Sequence, residues 1–162
     1  TFRPEITEVV MGLKVTTELE RMGDLALGIA HHTLDLLHNP GGPLFLEVQT
    51  LGERVCLMVQ KSLNSLIGRD LEQAREVCGS DGEVDSLKHR VSDILLESLA
   101  AHQTLGPQAF ALLVISRNLE RIAVHATNIA ESTIFLVTGR TPKHGNLERN
   151  PQEFDLKKGE RS

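Results

Sequence analysis

The stretch Leu19-Glu20-Arg21-Met22-Gly23-Asp24-Leu25-Ala26 returns, altered, one hundred positions later as Leu119-Glu120-Arg121-Ile122-Ala123-Val124-His125-Ala126. The match runs on, with Ile29-Ala30 answered by Ile129-Ala130, Thr33 by Thr133 and Leu36 by Leu136. A correspondence that lasts several helical turns implies two related halves, each contributing one equivalent helix. With 162 residues the chain has room for one packed unit of ordinary size, not for two domains with independent cores.

The helices follow from apolar spacing and punctuation. Pro4 suits a first helical turn, Glu5 and Glu8 complement its positive end, and no further proline occurs before Asn39-Pro40-Gly41-Gly42-Pro43. A first helix is expected over about 4 to 38. Its apolar residues fall in two stripes: Leu19, Met22, Ala26, Ile29, Thr33 and Leu36, and then Ile6, Leu13, Leu27 and Leu34 at multiples of seven. Such a helix requires partners on two sides. Glu20 falls in the second stripe and Asp24 lies one turn beyond it, so both carboxylates are expected in a packed or half-buried seam.

A second helix is expected after Pro43, carrying Val48, Leu51, Val55, Met58, Val59, Leu63 and Leu66 up to Gly68. Asp70, with Gln73 three residues on, reads as the N-cap of a third. Gly79-Ser80-Asp81-Gly82 predicts a bend or break in it, since each glycine costs roughly 1 kcal/mol relative to Ala. Periodicity resumes with Val84, Leu87, Val91, Ile94, Leu95 and Leu99, and a fourth helix is expected from about 107 to 138, ended by Gly139. Residues 140–162, rich in charge, Pro and Gly, read as a flexible polar tail. No segment shows sustained two-residue alternation, so the fold class is all-α: an antiparallel bundle of long helices.

Composition narrows the function. A net charge of -5 and a pI near 5.8 lack the cationic footprint of a nucleic-acid binder. Five Phe with no Trp or Tyr argue against stacking platforms for bases or sugars. Cys56 and Cys78 have neither a disulfide framework nor CxxC spacing, which favours reduced core cysteines and the cytoplasm. No run approaches the roughly twenty apolar residues of a membrane span. The start at Thr1, without methionine, suggests a processed or longer parent.

The candidate chemistry is acidic. Glu20 and Asp24 form an ExxxD pair, Asp81 and Asp85 a DxxxD pair, and Glu120 has Val124 where its partner would stand. On a helix each intact pair puts two carboxylates on one face, as Mg2+, Mn2+ or iron requires. An internal salt bridge to Arg21 or Arg121 is the competing reading of the repeated Glu-Arg. His31, one heptad past Asp24, is a further ligand candidate, whereas His125 is out of place to substitute for the missing carboxylate. There is no ExxH pair, HExxH, GxSxG or glycine-rich phosphate loop, so catalysis finds little support.

Leu19 to Ala26, the run Asn118-Leu119-Glu120-Arg121-Ile122-Ala123-Val124-His125-Ala126-Thr127-Asn128-Ile129-Ala130-Glu131, and the closing Gly139 with Lys143-His144 resemble the PhoU family of phosphate-signalling regulators, over nearly all of residues 4 to 144. The resemblance implies two three-helix bundles related by an internal repeat, with acidic motifs that hold metal ions. On that template residues 1–39 are the last helix of a first repeat, 44–139 a complete second repeat and 140–162 the tail. The acidic partner of Glu20 and Asp24 falls outside the sequence, and Asp81, Asp85 and Glu120 meet a signature in which Gly-Asp has become Ala123-Val124. The resemblance further implies a non-enzymatic cytoplasmic adaptor acting on the phosphate ABC transporter and a sensor histidine kinase, without membrane insertion. The two-sided first helix favours a homodimer. A carboxylate-metal enzyme and a stand-alone helical dimerisation module are the alternatives.

Overall fold

The computed structural model describes residues 4–38, 44–101 and 105–140. The loop read at 39–43 and the tail from 141 onwards, with Lys143 and His144, lie outside them. Five helices are present among the described residues: α1 Pro4–His38, α2 Leu44–Gly68, α3 Leu71–Gly79, α4 Asp81–Ala101 and α5 Gly106–Thr138. No strand occurs among these residues, and none of the helices is long and apolar enough to cross a membrane.

The third expected helix is two. Ser80 caps α3, its N–H donating to the Val77 carbonyl, and its own carbonyl accepts from the N–H groups of Glu83 and Val84 to start α4. The break falls between the two weak helix formers Gly79 and Gly82. Upstream, α2 closes in a Schellman turn: Asp70 N–H donates to Ser65 O at 2.9 Å and Arg69 N–H to Leu66 O at 3.4 Å. Arg69 accordingly sits at φ 51°, a left-handed position more usual for glycine. Asp70 then caps α3, its Oδ1 accepting from the Gln73 N–H at 3.0 Å, as its position in the sequence predicts.

The core is organised around α5, which packs against all four other helices. Its sequence suits that place: Leu112, Ala126, Ile129 and Ala130 are fully buried, and small Ala, Ser and Thr residues let neighbours approach from several sides. Val48, Leu51, Val55 and Met58 of α2, Ala74 and Val77 of α3, and Val84, Val91 and Leu95 of α4 cover one side. Gly139, at φ 67°, ends α5 by donating its N–H to Phe135 O at 2.8 Å.

On the other side lies α1, which among the described helices packs against α5 alone. Val15, Met22 and Leu36 are buried there, with Leu25 and Ile29 packed beside them. The two-stripe expectation is corrected on both counts. Leu19 and Ala26 face solvent, and the true contact line runs through Val15, Glu18, Met22, Leu25, Ile29 and Leu36. Ile6, Leu13, Leu27 and Leu34 lie exposed, as do Glu20 and Asp24, because none of the described residues covers the far face of α1.

Candidate functional site

The acidic residues occupy three helices and do not converge. Glu20 and Asp24 stand on the outward face of α1, and Asp81 and Asp85 are exposed in the first turns of α4. Glu120 is half-buried on α5, where the Lys88 ammonium of α4 lies 3.1 Å from its Oε2 and 3.2 Å from its Oε1. The salt-bridge reading of Glu120 therefore holds in kind, with Lys88 as the cation and not Arg121. Val124, which stands where Asp24 has its carboxylate in the first copy, is 46% exposed. Among the described residues no three His, Cys, Asp or Glu side chains gather into a group able to hold a metal, and His31 is exposed away from any such group. At Glu120 the residues present do not fit a metal: the cation there belongs to the chain itself.

Cys78, half-buried between α3 and its neighbours, has its thiol pushed up to about 11 by burial and by the negative charges of Glu131 and Asp81. Cys56 is exposed. Both are free thiols, as their spacing predicts.

The polar centre of the α1/α5 interface is one the sequence reading missed. Glu18, only 5% exposed, accepts from Asn128 Nδ2 at 3.1 Å and meets His125 Nδ1 at 2.5 Å on the same oxygen, Oε2. Burial alone would raise its carboxyl, but the bonds from His125 and Asn128, with the charges of His125 and Arg21, outweigh it and hold the group below its ordinary value. The signal was present as spacing: Glu18, Met22, Leu25 and Ile29 share one helical face, and so do His125 and Asn128.

The repeat organises this interface. Glu18 corresponds to Asn118 and Gly28 to Asn128 when each is advanced by one hundred. Glu18 meets Asn128, and Gly28 lies against Asn118, whose Nδ2 would be 2.9 Å from a Cβ at position 28. Equivalent residues of the two copies thus face each other about a local pseudo-twofold axis, with glycine leaving room on one side and a carboxylate filling the other.

Fold and interface define a helical bundle of the duplicated kind, its two equivalent helices packed against one another. The PhoU domain model matches residues 48–133, and the chain belongs to the PhoU family. The phosphate-specific transport system accessory protein PhoU homolog of Clostridium acetobutylicum is 34% identical over 136 residues, covering 84% of this chain and 62% of that protein. The corresponding Pseudomonas aeruginosa protein is 33% identical over 152 residues, covering 91% and 61%. The crystal structure of PhoU from P. aeruginosa superposes with a TM-score of 0.83 at 28% identity, over 86% of this chain and 68% of that one. A phosphate transport system regulatory protein PhoU from Streptococcus pneumoniae shares the fold, with a TM-score of 0.78 at 24% identity. The chain spans about three-fifths of the length of these curated relatives.

Proposed function

We propose that this chain is a non-enzymatic regulator of phosphate transport and phosphate-starvation signalling, including its transcriptional output. In this reading it is a cytoplasmic adaptor that contacts the phosphate ABC transporter and its sensor histidine kinase, and it works as a homodimer. The observation that carries the reading is the family match across α2 to α5, together with relatives named as accessory proteins of phosphate-specific transport. Any hard cation such as Mg2+, Mn2+ or iron belongs, in this reading, at Glu20 and Asp24, whose carboxylates are open to ligands from another molecule.

The test is capture of the transporter ATPase and of the kinase by the purified chain, paired with a phosphate-responsive reporter in cells lacking the native regulator. Binding to either partner and restored repression are expected. Failure of both would overturn the proposal. Metal analysis of the purified chain separates this reading from the carboxylate-metal enzyme: stoichiometric metal that is lost on Glu20→Ala, accompanied by turnover, would favour the enzyme.

A further inference from the structure

The second copy of the acidic signature has lost a carboxylate and holds a cation of its own. Glu20 and Asp24 of α1 correspond to Glu120 and Val124 of α5. Opposite Glu120, the Lys88 ammonium of α4 lies 3.1 Å from Oε2 and 3.2 Å from Oε1. Two nearly equal distances seat the ammonium between the oxygens, where a compact point charge interacts with the whole carboxylate.

The register of α4 on α5 brings the lost acid and the gained cation to one place. Cys78, just before α4, feels the charges of both Asp81 and Glu131, so α4 starts level with the later part of α5 and runs antiparallel to it until Lys88 meets Glu120. Asp81, Asp85 and Lys88, spaced by four and three, share one face of α4. Asp85 stands about one turn before Lys88, level with Ala123 and Val124, which follow Glu120 by about one turn. A carboxylate at position 124 would complete an acidic set with Asp81, Asp85 and Glu120. Valine there serves no packing need, since it is 46% exposed. What it does is remove a negative charge next to a site that already has its positive one.

We propose that Lys88 is a tethered replacement for a metal ion: it supplies the positive charge that the acidic signature of the second repeat would otherwise draw from a hard cation, and it keeps such a cation out. The two substitutions are then one change, a lysine gained against a carboxylate lost. The salt bridge is partly exposed and adds only modestly to stability, so its main consequence is exclusion. The ammonium engages both oxygens of Glu120, and a divalent ion brought beside it would meet like-charge repulsion of several kcal/mol at an effective dielectric constant of about 20. This inference goes beyond the regulatory reading and stands or falls apart from it.

The experiment uses the full chain, stripped with chelator, with Glu20→Gln and Asp24→Asn throughout so that α1 contributes no uptake. Both positions are exposed, so the background keeps its fold. Mn2+ is titrated in, and the loss of the free-ion signal in electron paramagnetic resonance reports binding. The background chain and Val124→Asp alone are expected to leave the ion free, whereas Lys88→Met with Val124→Asp binds it at least about tenfold more tightly than Val124→Asp alone. Circular dichroism checks that helicity is unchanged. If the Met variant loses helicity, Lys88→Gln with Val124→Asp repeats the test with a neutral side chain that can still donate to Glu120. Equal uptake by Val124→Asp with and without Lys88 overturns the proposal, because the lysine would then exclude nothing. So does a folded double variant that takes up no Mn2+, and so does uptake by the background chain that disappears on Glu120→Gln.

Discussion

Glu18 of α1 and His125 of α5, 107 positions apart in the chain, meet at 2.5 Å inside the interface between the two helices. Since α1 packs against α5 alone among the described helices, this contact and the Asn128 bond beside it fix the rotation and height at which the long helix docks. A buried polar group of this kind specifies register because any slip would leave it unpaired.

Glu18→Ala should therefore loosen α1 selectively. Loss of the carboxylate leaves His125 and Asn128 without their shared acceptor, at a cost of about 2 kcal/mol. Hydrogen exchange would show the loss as reduced protection across α1, with protection in α2 and α3 unchanged. Equal loss in all helices would place the effect elsewhere.

The same contact makes docking sensitive to acid. The Glu18 carboxyl titrates lower in the folded chain than in the unfolded one, held there by His125, Asn128 and Arg21 against the effect of burial. Its contribution is present above the ordinary carboxyl value of 4.5 and is lost as pH falls through the depressed folded value. Urea unfolding of the wild type and of Glu18→Gln should differ most above pH 4.5 and converge under more acid conditions.

Lys88 supplies the positive charge at Glu120. Both side chains are 26% exposed, so Lys88→Met should cost about 0.5–1 kcal/mol, read as a modest fall in Tm. Adding Val124→Asp to that variant creates an uncompensated acidic pair on one face of α5. Mn2+ should raise the Tm of the double variant above that of Lys88→Met alone.

Arg69 holds a left-handed conformation that costs a non-glycine residue roughly 1 kcal/mol. Arg69→Gly should recover most of that in thermal unfolding. The exposed ion pair to Glu8, lost in the same change, contributes little by comparison.

Local signals wrote much of this architecture into the chain. Pro4, the Asp70 cap, the glycines around Ser80 and Gly139 place helix ends within a residue or two, because each acts through backbone geometry within one turn. The repeat announced that α1 and α5 are equivalent helices, though not that they pack against each other. The candidate acids were legible as residues on faces, but not in their surroundings. Lys88 reaches Glu120 across 32 positions and His125 reaches Glu18 across 107, and helical spacing carries no information on contacts between helices.

The sequence by itself determined that the fold is all-α, that it is duplicated, and that α1 has two apolar sides. Only the tertiary structure decided which side is covered. Periodicity defines the faces of a helix, but the partner that buries a face is chosen by packing with distant segments. On α1 that choice set Glu18, Met22 and Leu36 against α5 and turned Glu20, Leu27 and Leu34 outward.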